Sequence, residues 1–157
     1  IGTAKQHFQK TMSEINQAHP DVCAVISVNK GLVTQASAAI PVVPLYFAIL
    51  YKVMKKAGNH ENCIQQIARL FTQKLYTPTG FQTDENGFIR MDDYELTPEI
   101  QEEVKKCWKA VTTDTVKEYC DIDGYWEDFY HMFGFRYEDI DYTQDVDADI
   151  EIDGVVM

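Results

Sequence analysis

Apolar residues at Ile1, Ala4, Phe8, Met12 and Ile15 recur at three- and four-residue intervals, which predicts an amphipathic helix over residues 1–18. It closes at His19-Pro20, because proline cannot continue a helix. The run 22–28 (VCAVISV) is almost continuously apolar, the pattern of a short strand buried on both faces of a parallel sheet. A loop opens with Asn29, Lys30 and Gly31. Pro41 and Pro44 then punctuate a helix expected to run to about Lys56, with Gly58-Asn59 as its stop. Residues 60–76 return to the helical period, with Ile64, Ile67, Ala68, Leu70, Phe71 and Leu75 expected on the inner side. Turn formers are dense in residues 77–94, which predicts an irregular loop or a small hairpin about Asn86-Gly87. Thr97 as N-cap, Pro98 at the first helical position and Glu99 in the first turn open the next helix. Short helices are expected at 113–120 and 124–132, before an acidic end over 138–153.

About six helices thus accompany a single strand. A lone parallel strand leaves backbone groups on both edges without partners, so the rest of its sheet is expected from residues outside this sequence. The start agrees: IGTAKQHFQK is helical from its first residue, with neither an N-cap nor a signal-peptide pattern before it. The chain is therefore expected to be part of a longer protein.

Composition narrows the class. With 157 residues, 45% hydrophobic and 25% charged, the chain reads as one soluble globular unit that can bury a core. Its net charge is −11, unevenly spread: residues 1–75 hold eight Lys/Arg against three Asp/Glu, residues 76–157 six against twenty-two. An acidic chain with no basic cluster disfavours nucleic acid and anionic membrane surfaces as partners. The apolar stretch 39–51 has two prolines and is shorter than the roughly twenty residues a membrane-spanning helix needs, so it is expected to be core or pocket wall. Four scattered cysteines, at 23, 63, 107 and 120, suit reduced thiols and a cytoplasmic setting.

Short motifs carry little. Tyr51 and Lys55 form a Y-x-x-x-K that would put a phenol and an ammonium on one helix face, but a helix with Tyr51 inward and Lys52, Lys55 and Lys56 solvated accounts for it. His7, His19, His60 and His131 never pair at metal-binding spacing, and no metal site is expected. Asp145, Asp147 and Asp149 imitate the start of a calcium loop, yet Ile150 stands where glycine is needed and Val156 where glutamate is. No G-x-G-x-x-G occurs. The order of elements is more informative. In a doubly wound fold ligands bind at the carboxyl ends of strands, so the loop after Val28 is the natural cofactor-facing position. Its small residues would let backbone approach a flat ring, and the Thr34 hydroxyl could bond a carboxamide or phosphate; a plain βα turn is the alternative.

The blocks ISVNKGLVTQASAAIPVVPLYFAILYKVMKKAGNHENCIQQIARLF, FIRMDDYEL, EIQEEVKKCW and GYWEDFYHMFGF resemble, in order, the carboxyl-terminal part of the NADH-dependent trans-2-enoyl-CoA reductase / enoyl-acyl-carrier-protein reductase family. The likeness spans essentially the whole chain. It implies an α/β fold, the mostly helical end of a Rossmann-like, short-chain-dehydrogenase-like doubly wound core. Residues 1–76 would be its last helix-strand-helix part with acyl-pocket helices, and 77–157 a loop, further helices and the acidic tail of the same domain.

The resemblance also implies roles. Lys5 matches the lysine of the family's Tyr-x8-Lys signature, whose tyrosine would lie upstream of Ile1; it would contact the nicotinamide ribose and hold that tyrosine in its working ionisation state. Leu32, Val33 and Thr34 would meet the nicotinamide end of NADH, and Val43, Tyr51 and Tyr125 would line the acyl chamber. The implied reaction is NADH-dependent reduction of the C2–C3 double bond of an enoyl-CoA or enoyl-carrier-protein in fatty-acid synthesis. The partners would be that substrate and the missing amino-terminal part, in a monomer or dimer, with the fragment alone inactive. Two alternatives stay open: a non-catalytic helical module gripping a partner through the apolar 39–51 surface, and a short-chain reductase acting on a carbonyl.

Overall fold

A computed structural model describes residues 2–145; Ile1 and residues 146–157, including most of the calcium-like acidic run, lie outside the described residues. Helix α1 is Gly2–Ala18, followed by strand β1, Ile26–Val28, and a short helix α2, Gln35–Ala38. Helix α3, Val43–Ala57, precedes α4, Cys63–Arg69, which continues as one π-helical segment, Leu70–Leu75. Strand β2, Phe88–Arg90, then leads to α5, Pro98–Ala110, α6, Val116–Tyr119, and α7, Ile122–His131.

Helix α3 is the centre. Phe47, Ala48, Ile49, Leu50, Tyr51, Val53 and Met54 are all buried, against Ile100 and Val104 of α5 and Tyr125 of α7. A helix apolar nearly all round belongs inside, and that is where residues 39–51 lead. For a binding module working through that stretch, Phe47 to Tyr51 are core and unavailable, which leaves the exposed Ile40 and Val42 at its start. The helix stops at Gly58, whose left-handed φ of 75° closes it. Its other end is strained: Val42, a β-branched N-cap, sits at φ 74°.

Three expectations are corrected. Strand β1 has a partner within the chain, because β2 pairs with it in parallel, Ile26 opposite Phe88 and Val28 opposite Arg90. The predicted hairpin does not form. Asp84 to Gly87 make a turn, closed by a 3.0 Å bond from the Gly87 amide to the Asp84 carbonyl, but the strand after it crosses to β1. The third correction is the face of α4. Ile64 and Ile67 are 54% and 52% exposed and Phe71 45%, while Gln66 and Arg69 are buried at 2% and 6%. Their polar ends reach the segment after β2: Arg69 Nη2 donates to the Met91 carbonyl at 2.9 Å, Nη1 to Asp93 at 3.1 Å, and Nε lies 2.7 Å from Glu61. Satisfying a strand end and an acidic turn outweighs the burial of two isoleucines here.

Helix α1 buries nothing of its own and leaves Phe8 and Ile15 exposed. The Asn16 amide fastens it to the strand's approach, accepting from the Ala24 amide and donating to the Ala24 carbonyl, each at 2.8 Å.

Candidate functional site

The loop 30–34 leaves the carboxyl end of β1 and lies against α3. Gly31 makes that approach possible: a Cβ there would stand 2.6 Å from the Phe47 ring. Three of the loop's amides point inward, and each finds a side chain from a different element. Lys30 N–H donates to Gln66 Oε1 of α4 at 3.2 Å, Gly31 N–H to Glu95 Oε2 at 2.5 Å, and Val33 N–H to the Tyr51 hydroxyl of α3 at 2.9 Å. The second Glu95 oxygen accepts from the Tyr46 hydroxyl at 2.6 Å. Thr34 then caps α2 reciprocally with Ser37: its hydroxyl accepts from the Ser37 amide, while Ser37 Oγ accepts from the Thr34 amide. The Thr34 hydroxyl proton is left to donate to a ligand.

Electrostatics follow burial. Lys30 is only 3% exposed, its Nζ 4.7 Å from the Tyr51 ring centroid and bonded to the Gly31 carbonyl at 3.2 Å. Burial pushes this ammonium down to about 8, against the pull of the Glu95 carboxylate. Burial also pushes the Tyr46 phenol up to about 12, with the Glu95 hydrogen bond acting the same way. Tyr51, fully buried, is likewise driven well above the ordinary phenol range by burial, which outweighs the Val33 amide. Its ring stacks parallel to Phe47 at 6.3 Å and meets His60 edge-on at 4.4 Å, and His60 Nε2 lies 3.1 Å from Asp128.

Of the residues singled out in the sequence, Val33 and Tyr51 are brought together directly, and Leu32 and Thr34 flank Val33 in the same loop. Tyr125 is buried in the core that holds Tyr51, and Val43 is half-buried at the first turn of α3. Lys5 stands exposed on α1, three turns before Asn16, apart from this cluster. The false Y-x-x-x-K dissolves: Tyr51 faces the loop, whereas Lys55 Nζ lies 2.7 Å from Asp121 at the start of α7. Lys30, Gln66, Glu95 and His60 escaped sequence reasoning. Their partners lie as far as 68 positions away, and no local spacing signals them.

Two clefts of about 540 Å³ open elsewhere, one lined by Arg69, Lys74, Arg90 and Asp93, the other by Tyr46, Pro98, Val104 and Trp108. Neither contains Leu32, Val33, Thr34, Tyr51 or Tyr125. The cations of the first are committed to acids, Arg69 and Lys74 to Asp93 and Arg90 to Asp84 and Asp92. Among the described residues no group of three or more His, Cys, Asp or Glu could hold a metal, and no helix is long and apolar enough to cross a membrane.

Residues 1–76 match the family description "Trans-2-enoyl-CoA reductase catalytic region", and residues 83–146 match "Enoyl reductase FAD binding domain". The chain belongs to the trans-2-enoyl-CoA reductase / enoyl-acyl-carrier-protein reductase family. Across 99% of its length it is 45% identical to the NADH-dependent enoyl-acyl-carrier-protein reductase of Flavobacterium psychrophilum, and equally to the NADH-dependent trans-2-enoyl-CoA reductase of Ruminiclostridium cellulolyticum. It spans about 40% of the length of each of these reductases. Among solved structures it is similar to the trans-2-enoyl-CoA reductase of Clostridium acetobutulicum in complex with NAD, with a TM-score of 0.84 at 45% identity over 94% of this chain and 39% of that one. The Treponema denticola trans-2-enoyl-CoA reductase in complex with NAD is likewise similar, also with a TM-score of 0.84, at 46% identity.

The flavin named in the second description does not fit the residues. Segment 83–146 carries six Lys/Arg against eighteen Asp/Glu. Its two longer helices open on acids, Glu99 in the first turn of α5 and Asp121 and Asp123 at the start of α7, which repel a pyrophosphate. In the loop 30–34 the Gly31 backbone packs against the Phe47 ring, and the Thr34 hydroxyl, which accepts from Ser37, keeps a proton to donate.

Proposed function

We propose that this chain supplies the cofactor loop and acyl-side helices of an NADH-dependent enoyl-thioester reductase, which reduces the C2–C3 double bond of trans-2-enoyl-CoA or enoyl-carrier-protein in fatty-acid synthesis. The observation that carries this reading is the conjunction of 45% identity to NADH-dependent reductases along 99% of the chain with a loop held rigidly at the carboxyl end of a parallel strand. In this reading the chain is the carboxyl-terminal part of a Rossmann-like core. The exposed apolar faces of α1 and α4 support that placement, since such stripes are ordinarily covered.

NADH would supply the hydride to the β-carbon of the thioester. Leu32, Val33 and Thr34 would hold its nicotinamide end, the Thr34 hydroxyl donating to it. Lys5, on α1, would lie beside the ribose and next to a tyrosine upstream of this chain, where an ammonium lowers a phenol's pKa and favours stabilisation of charge developing on the thioester oxygen. Val43, Tyr51 and Tyr125 would form the acyl side, Tyr51 from beneath the loop rather than as an exposed wall. Free thiols at all four cysteines support a cytoplasmic setting.

The test is NADH consumption with a trans-2-enoyl-CoA. The chain alone is expected to show no turnover. The full-length protein turns over, and Lys5→Met within it cuts kcat by roughly a hundredfold or more. Unchanged kcat in Lys5→Met, or turnover by the isolated chain, would refute the assignment.

A further inference from the structure

We propose that Glu95 is a positioning residue for the cofactor: anchored by Tyr46 of α3, its carboxylate fixes the path of the loop 30–34 and so sets Leu32, Val33 and Thr34 against the nicotinamide end of NADH. The inference rests on the cofactor reading of that loop. It starts from a cost. Glu95 is buried, and burying a carboxylate is unfavourable unless hydrogen bonds or charges offset it. Among the described residues it makes no ion pair within 4.0 Å; its two oxygens are divided between the Gly31 amide and the Tyr46 hydroxyl. The buried Lys30 ammonium adds attraction from the loop itself.

That division is what a fixed geometry requires. A carboxylate held at one oxygen can rotate; held at both, by a helix on one side and the loop on the other, it sets the distance between them. The loop is gripped at successive points in the same way, Gln66 taking the Lys30 amide and Tyr51 the Val33 amide. Gln66 Nε2 also reaches toward the Met91 carbonyl at 3.5 Å, so the grip is braced on the strand-end segment that leads to Glu95. Gly31 has no side chain to hold the loop off α3, which is why the short carboxylate bond can form. A simple turn could leave these amides to water. Here residues from 83–146 reach back to organise a loop in 1–76, which gives the two matched stretches a reason to act as one site.

The experiment uses the full-length protein and steady-state kinetics with NADH and a trans-2-enoyl-CoA. Glu95→Ala is expected to raise the KM for NADH about tenfold, the scale at which sub-ångström misplacement of a binding loop is felt, with the KM for the enoyl substrate within about twofold. Glu95→Gln keeps an acceptor for Gly31, and its amide can donate to a rotated Tyr46 hydroxyl, so it should restore the NADH KM to within about threefold. An NADH KM unchanged in Glu95→Ala while its melting temperature falls would reduce the residue to a structural part and overturn the proposal. Should Glu95→Ala fail to fold, the near-isosteric Tyr46→Phe frees one carboxylate oxygen and is expected to raise the NADH KM about threefold; no rise overturns the proposal equally. Thr34→Ala, measured alongside, separates the two claims. An unchanged NADH KM there overturns the cofactor reading of the loop, whereas a raised KM beside an unchanged one in Glu95→Ala overturns the Glu95 role alone.

Discussion

Replacing Tyr51 by phenylalanine removes one oxygen from the centre of the core and nothing else. Tyr51 is fully buried and Val33 nearly so, and the phenol oxygen is the acceptor of the Val33 amide at 2.9 Å. No water can reach the amide to replace it. The cost is therefore that of a buried donor left unpaired, about 1–3 kcal/mol, rather than the smaller net value of an average hydrogen bond. Ring packing on Phe47 and His60 is retained, so no cavity term is added. Urea unfolding of the full-length protein should show the loss as a lower midpoint at constant slope. Amide hydrogen exchange of the segment covering Val33 should accelerate by roughly tenfold or more, while α5 keeps its protection. If the phenol instead served as an open pocket wall, Tyr51→Phe would change the KM for the enoyl substrate and leave exchange at Val33 alone. An unfolding free energy within about 0.5 kcal/mol of the parent, the scatter of neutral substitutions, would sink the reasoning.

Lys30, with a folded pKa of about 8 against 10.5 for the free side chain, binds fewer protons folded than unfolded between those values, so its contribution to stability rises with pH across that window. Lys30→Met should flatten that rise and be the more stable form at neutral pH; parallel stability curves for the two proteins from pH 7 to about 10.5 would contradict the assigned burial cost. Gly31→Ala drives a methyl to 2.6 Å from the Phe47 ring and should cost about 1–3 kcal/mol by overpacking, read as a lowered urea midpoint, whereas a neutral outcome would mean the loop does not lie this close to α3.

Local chemistry made much of the helical frame legible. Proline, glycine and apolar period place α3 within a residue or two, and Pro98 opens α5 as expected, although the Thr97 hydroxyl turns back to the Tyr94 carbonyl instead of capping. What escaped was anything decided by a distant partner. The period of α4 correctly predicts a helix, but its buried face was decided by Met91 and Asp93, some twenty residues on, which need Arg69 and Gln66 more than the core needs Ile64 and Ile67. Strand β2 is three residues among turn formers, too short to show a period, and exists because β1 offers it an edge. The loop 30–34 was singled out as a candidate by its place after a strand. Glu95 and Gln66, which hold it, were invisible because nothing near them in sequence states what they touch.

The parallel register of Ile26 with Phe88 has an entropic consequence. Its two strands are about sixty residues apart, and closing a chain of that length costs about 4 kcal/mol beyond the constant for any closure. Three residue pairs cannot offset that alone. The sheet is therefore an outcome of helix packing rather than its template: once α3 is seated on α5 and α4 has turned Arg69 toward Met91, most of the search is already done, and the strands meet across a gap the helices have closed. The loop 30–34 thus leaves a sheet that depends on helix packing, and its shape depends on the integrity of the core into which Val33 packs.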